Sequence, residues 1–323
     1  MSTPVPADAE SVRRAAALLR DGEVVALPTE TVYGLAADAT NATAVERIFA
    51  IKGRPADHPL IVHLLDAEQI DAWAIEIPEE ARVLAEACWP GALTIVLRRA
   101  PSVLDVVTGG LDTVALRVPA HPVTRAVLAD FGGAFAAPSA NRFGRVSPTT
   151  AEAVADDLGD DVELILDGGA CRVGVESTIV DCSGDETVVL RPGGVTVERI
   201  SELLDRPIGV GGTTRAPGTL PAHYAPNAVV EIVGEREAVA AAQAHLAEGR
   251  SVALLAAMVP LGLSDRVAVL EPPETDDEYA RVLYDRLRTA DHHGIDVVLA
   301  VPPNPVGIGR AVRDRLERAA AAR

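Results

Sequence analysis

Lysine is almost missing from this 323-residue chain: of 29 cationic side chains, 28 are arginine and one, Lys52, is lysine. Aromatic residues are scarce too, at 3%. The three cysteines, Cys88, Cys171 and Cys182, form no CxxC pair and have no histidines at zinc-ligand intervals. A disulfide framework and a structural zinc site are therefore excluded, and buried, inert thiols are expected. No stretch of 18 uninterrupted apolar residues occurs, and MSTPVPADAE at the start has neither a basic region nor an apolar run. Neither a membrane helix nor a secretory leader is expected, and the reading is a cytoplasmic protein without membrane partners.

Positive charge is in short supply overall, with 47 acidic side chains leaving a net charge of −18. Residues 1–206 hold 17 cations against 32 anions, and the remainder 12 against 15. Such a balance repels phosphate backbones, so no stable nucleic-acid binding is expected, and any anionic ligand must be caught by a few placed cations. Lys52 is the sharpest candidate. A compact ammonium with three rotatable donors cannot be exchanged for a planar guanidinium where a small head group is required.

What is present is ordinary globular material, 48% hydrophobic and 24% charged, at a length that fits two domains. Helix-like and strand-like periods alternate throughout, which argues for an α/β fold. Asp8 can cap a helix reaching Arg20 and stopped by Gly22, followed by a strand at 24–27 and a turn-rich loop, PTETVYGLAAD. Asn41 can cap the next helix, whose last turn delivers Lys52 before Gly53 ends it. Further strands are predicted at 60–65, 92–97, 114–118, 134–137 and 164–166, with helices near 79–88, 123–129 and 151–158. STIVDC, SGDE and TVVLR then spell a hairpin, and a short helix follows at 197–204. The glycine- and proline-rich stretch 207–228 reads as a linker or long ordered loop. The domains are therefore 1–206; 207–228, linker; and 229–323, a small α/β unit with strands at 252–255 and 297–301 and helices at 278–288 and 310–320.

Two polar clusters stand out. PTETVYGL (28–35) with KGRPADHPLIVH (52–63) places Lys52, Arg54, His58 and His63 within 12 residues, with Gly53, Pro55 and Pro59 fixing the backbone between the charges. Such a loop suits phosphate or carboxylate. PSANRFGRVSP (138–148) sets Ser139, Asn141 and Ser147 just beyond an apolar run, where open α/β sheets bind ligands, although Ser and Asn are also ordinary turn residues. Asp291-His292-His293 lacks a second acidic or histidine cluster and reads as a solvated helix end. Gly209, Gly211 and Gly212 lack the lysine and hydroxyl of a Walker loop.

PTETVYGL, Lys52-Gly53-Arg54 with PLIVH, Ser139-Ala140-Asn141, GVESTIVD (174–181), LRPG (190–193) and HYAP (223–226) together resemble the YrdC-like threonylcarbamoyl-AMP synthase family in its longer, two-domain form. The resemblance implies a twisted open-sheet YrdC-like catalytic domain and a small Rossmann-like C-terminal α/β domain. It implies a nucleotidyltransferase that makes threonylcarbamoyl-adenylate and pyrophosphate from L-threonine, bicarbonate and ATP. The product would pass to a separate complex that modifies tRNA next to the anticodon.

Carried over by motif, Lys52 and Arg54 would be catalytic, and Thr31, His63, Arg117, Ala137 and Ser177 would hold threonine. Lys52, Arg54, His58, Thr113, Ser139, Asn141, Ser147, Arg191 and Asn227 would contact ATP, and His223 and Tyr224 would form a linker lid. Tyr33 would pack against the substrates. Magnesium would come with the triphosphate rather than in a carboxylate cage. His58 stands where the family usually has asparagine. Two rival readings, an RNA-binding module and a carbamoyltransferase maturation factor, meet the acidic first domain and the lack of CxxC respectively.

Overall fold

The computed structural model describes residues 3–220 and 222–322, which form two units. The first takes the chain through Phe143 and then Ser147–Thr219, and the second takes Gly144–Val146 and everything from Leu220 onward. Residues 207–228 are thus divided between the two, and Gly209–Val210, read from the sequence as part of a loop, is a short strand.

In the first unit, short strands alternate with helices, several of which begin at a side-chain cap. After β1 (Val5–Pro6), α1 (Ala9–Arg20) begins where Asp8 accepts the N–H groups of Glu10 and Ser11, and Ser11 returns a bond to the Asp8 backbone. β2 (Val25–Leu27) runs antiparallel to β3 (Gly34–Asp38), which leads to α2 (Ala42–Lys52). Asn41 caps the start of α2, and Gly53 at φ +62° ends it, so Lys52 is its last residue.

There follow β4 (Ile61–His63), α3 (Ile70–Trp73), β5 (Ala74–Ile75), α4 (Glu79–Cys88), β6 (Leu93–Arg99), α5 (Asp105–Thr108) and β7 (Thr113–Arg117). The unit is completed by α6 (Pro122–Phe131), β8 (Phe135–Ala136), α7 (Ala151–Leu158), β9 (Leu164–Asp167), β10 (Thr178–Asp181), β11 (Val188–Arg191), α8 (Val197–Leu203) and β12 (Gly209–Val210). β10 and β11 form the hairpin expected from the sequence.

All these strands share one mixed sheet in the order β1-β9-β2-β3-β8-β4-β7-β6-β10-β11-β12, with β5 against β6. Alternate residues of β2 enter opposite cores: Val25 and Leu27 pack with Leu19 of α1 and Val127 of α6, and Ala26 with Ile48 of α2 and Val154 of α7. Helices therefore cover both faces.

The turn-rich loop expected over PTETVYGLAAD is only half a loop. Thr29 closes a turn by donating to the Val32 carbonyl at 2.6 Å, but Gly34–Asp38 is strand. GLAAD has weak strand propensity, and its burial between β2 and β8 overrides it.

In the second unit, β13 (Val229–Ile232), α9 (Ala238–Ala247), β14 (Val252–Leu255), β15 (Ala268–Val269), α10 (Asp276–His292), β16 (Val297–Ala300) and α11 (Gly309–Ala320) build a parallel sheet in the order β13-β16-β14-β15. This is the Rossmann-like texture expected. The helix expected at 278–288 runs on to His292, so Asp291 and His292 form its last turn, where the Asp291 carboxylate accepts the N–H groups of Asn227 and Ala228.

Candidate active site in the first unit

Lys52 is buried, 3% exposed, at the end of α2. Its Nζ donates to the carbonyls of Ser139 and Asn141, each at 2.5 Å, while its own carbonyl accepts the Phe143 N–H at 2.8 Å. The lysine thus braces the whole SAN loop against α2. Burial pushes its pKa well down from the usual lysine range, and the Arg54 guanidinium pushes the same way. Arg54 donates to the Pro59 carbonyl at 2.9 Å and lies 5.7 Å from the Phe143 ring centre. His58 meets the same ring edge-on at 5.3 Å. Lys52, Arg54 and His58 therefore meet at Phe143, which the sequence reading did not name, and Lys52 links them to Ser139 and Asn141.

His63 belongs to a different group. The register of β4 with β7 and β8 sets His63 beside Arg117 on one side and Phe135 on the other, and its ring stacks on Phe135 at 5.7 Å. Its Nδ1 lies 3.2 Å from the Ile61 carbonyl. A carbonyl only accepts, so Nδ1 carries the proton and Nε2 is left as an acceptor. Burial, helped by the nearby Arg117 charge, pushes its pKa down to about 3, and the imidazole is neutral at physiological pH.

That shift has a thermodynamic consequence. Folding withholds a proton that the unfolded chain binds below its usual pKa of 6.5, so this contribution to stability is full above pH 6.5 and lost progressively toward pH 3. Between pH 6.5 and 5 the wild type should lose about 2 kcal/mol through this residue. Denaturant unfolding of His63→Gln at the two pH values should show that much less change; equal pH dependence in both proteins would refute the assignment.

Arg117, at the end of β7, is 4% exposed. Its Nη2 donates to Glu30 Oε1 at 2.6 Å and its Nε to the Gly91 carbonyl at 3.1 Å. Thr31 is fully buried, with its hydroxyl 2.8 Å from that of Thr29. The Ala137 N–H donates to the Ile61 carbonyl at 2.9 Å. Ser177 Oγ lies 2.8 Å from Thr94 Oγ1, and Arg191 holds the Ser177 carbonyl through Nη2 at 2.8 Å and Nε at 3.2 Å, while its Nη1 donates to the Pro217 carbonyl. Ser147 donates to Glu176 Oε1 at 2.7 Å, so Ser147 is tied to the residue preceding Ser177.

Thr113 opens the strand that Arg117 closes, which separates the two by about 13 Å. Tyr33, expected beside the substrates, ties its hydroxyl to the loop after β9. It is fully buried, donates to the Gly169 carbonyl at 2.8 Å and accepts the Gly168 N–H.

The remaining expected site residues lie in the second unit. Asn227 accepts from Arg145 there at 2.5 Å. His223 and Tyr224 are buried, with the Tyr224 ring stacked on Tyr284 and the Arg315 guanidinium 5.1 Å above it. Sequence reasoning missed Glu30, Thr94 and Glu176. The signal for the two carboxylates was a single charge set inside a motif of hydroxyl and apolar residues, PTETVYGL and GVESTIVD.

Two family descriptions match the chain: telomere recombination, of the Sua5, YciO and YrdC proteins, over residues 17–193, and threonylcarbamoyl-AMP synthase, C-terminal domain, over 195–321. The threonylcarbamoyl-AMP synthase of Pyrococcus abyssi is 44% identical over 321 residues, covering 95% of this chain and 93% of that protein. That of Bacillus subtilis is 42% identical over 324 residues, covering 97% and 93%. Among solved structures, a His→Ala, Tyr→Ala double variant of P. abyssi Sua5 matches with a TM-score of 0.93 at 40% identity, over 100% of this chain and 97% of that one. P. abyssi Sua5 complexed with L-threonine matches at 0.90 and 43% identity, over 97% and 94%.

Proposed function

The chain belongs to the Sua5/YciO/YrdC family, in the form that carries the threonylcarbamoyl-AMP synthase C-terminal domain, and from that premise we propose that it is an L-threonylcarbamoyladenylate synthase. It converts L-threonine, bicarbonate and ATP into threonylcarbamoyl-adenylate, pyrophosphate and water, as a nucleotidyltransferase. The product serves a separate complex that modifies tRNA beside the anticodon, and the reaction runs in the cytoplasm. No helix among the described residues is long and apolar enough to cross a membrane.

The observation that best supports this reading is that Arg117 and His63 are both buried and stand opposite one another on neighbouring strands. Arg117 Nη1 hydrogen-bonds no described residue, and it offers a cation to a carboxylate. His63 Nε2, an acceptor on a neutral ring, suits the amino or hydroxyl group of the same ligand. Thr31, Ser177 and the backbone at Ala137 complete an amino-acid pocket. The 13 Å run from Arg117 to Thr113 fits a ligand as long as an amino acid joined to a nucleotide.

Chemically, the threonine amine displaces water from bicarbonate to give a carbamate. A carbamate oxygen then attacks the α-phosphorus of ATP, the bond to the β-phosphate oxygen breaks, and pyrophosphate leaves. No side-chain nucleophile takes part. The barrier lies in aligning two anions, and Lys52 and Arg54 offset that repulsion. As an ammonium, Lys52 has three N–H bonds, of which two brace the SAN loop and one is available to a phosphate oxygen. Arg191, Ser147 and Ser139 flank the nucleotide, with Asn141, His58 and Thr113 as further contacts. Among the described residues no group of three His, Cys, Asp or Glu side chains could hold an ion, so we assign magnesium to the phosphates of the nucleotide.

Incubation with ATP, magnesium, L-threonine and bicarbonate should release pyrophosphate, and omission of either threonine or bicarbonate should stop it. Release that persists without threonine, or none from folded protein with all four present, would sink this reading.

A further inference from the structure

Outside the residues that meet substrate, the most constrained charge in the first unit is Glu30. It is 4% exposed and lies in the turn between β2 and β3. Burial pushes its carboxyl pKa up, but the Arg117 guanidinium more than reverses this and leaves it below the usual range. A buried ion pair is poor value as a stabiliser, because removing two charges from water costs about as much as their attraction returns. Its retention needs another reason.

The geometry supplies one. Glu30 Oε1 accepts from Arg117 Nη2 at 2.6 Å, and Oε2 accepts the Ala120 N–H at 3.0 Å, three residues beyond the end of β7. The carboxylate is therefore held at both oxygens and has no freedom to turn. The Gly91 carbonyl takes Arg117 Nε on a second side. Gly91 is itself held: its N–H donates to the Val118 carbonyl at 2.8 Å, and a Cβ there would lie 2.4 Å from the Cys88 carbonyl oxygen. With Nε and Nη2 committed to fixed acceptors, the plane of the guanidinium is set and Nη1 can point in only one direction.

We propose that Glu30 is a positioning residue for threonine recognition, which orients Arg117 so that its Nη1 edge meets the substrate carboxylate. This rests on the assignment of Arg117 to threonine made above. Glu30 does not touch the substrate, and its effect is confined to the amino-acid end of the site.

Steady-state kinetics with Glu30→Gln and Glu30→Asp test the proposal. A glutamine amide has one acceptor and one donor, so it cannot accept from both Arg117 and Ala120. Aspartate keeps the charge but is one methylene too short to reach both. Glu30→Gln should raise the KM for L-threonine by about ten- to a hundredfold, as for a misplaced binding group, and leave the KM for ATP within about twofold. Glu30→Asp should fall between it and wild type. Should Glu30→Gln not fold, the aspartate variant, checked by its KM for ATP, carries the test.

An unchanged threonine KM in either folded variant, or a parallel rise in both KM values, would overturn the positioning role. Arg117→Lys separates the two layers. An unchanged threonine KM in that variant overturns the assignment of Arg117 and the proposal with it, whereas a raised one beside a normal Glu30→Gln overturns the role of Glu30 alone.

Discussion

Lys52→Met is expected to fold and to release pyrophosphate at least about a hundredfold more slowly than wild type at saturating substrates. Methionine fills the space of the lysine stem but offers no donor, so the carbonyls of Ser139 and Asn141 lose the group that holds them and the site loses a cation. The structure changes what Lys52→Arg would report. Lysine is the single exception among 29 cations not only because of the charge it carries, but because the slot at the end of α2 admits a small head group between two carbonyls at 2.5 Å. A guanidinium there overpacks a buried site and should destabilise the fold by about 1–3 kcal/mol while also losing activity. Thermal unfolding of both variants beside their rates distinguishes these effects. A Lys52→Arg protein with wild-type melting and wild-type rate would show that charge alone is needed.

Gly193→Ala should be the most damaging single methyl group in the first unit. A Cβ at Gly193 would lie 2.3 Å from the Glu176 carbonyl oxygen and 2.4 Å from Ser177 C and Thr178 N, all of them backbone atoms at the start of β10. Nothing there is the far end of a flexible side chain, so the strand itself must move. The shift would carry Ser177 and its bond from Arg191 away from the pocket. A loss of about 3 kcal/mol or more is expected, together with a fall of roughly 6–12 °C in melting temperature. Gly53→Ala provides the contrast, because its Cβ would meet nothing within 4 Å and only its φ of +62° opposes the change. That variant should cost about 1 kcal/mol. Equal melting temperatures for the two variants would contradict the close approach at Gly193.

Local signals in the sequence were dependable where one side chain decides one backbone bond. Asp8, Asn41 and Gly53 mark helix ends that the structure reproduces, and Glu79–Cys88 and Ala151–Leu158 agree with expectation at both ends. β3 escaped because its glycine and alanines carry no strand preference, and only its neighbours make it a strand. What the sequence could not convey is which of the candidate residues touch one another. Lys52 meets carbonyls 87 and 89 residues away, and Glu30 meets Arg117 at a separation of 87. No periodicity contains such pairings. For the same reason the motif PTETVYGL hid the division of labour within it, in which Thr29 closes the turn, Glu30 grips the arginine and Tyr33 anchors a distant loop.

The order of strands in the first sheet also governs how the protein must be made. β9, at 164–167, lies between β1 and β2, so the edge of β2 nearest the start of the chain stays unpaired until more than 130 further residues have been synthesised. At ordinary translation speeds that interval is on the order of ten seconds. Through it the nascent chain presents Val25, Ala26 and Leu27, a wholly apolar strand, to whatever else is exposed nearby. Pairings this remote form slowly because the loop must close before any contact repays it. Closing this edge is therefore a late event in the making of the first unit, whatever its final stability.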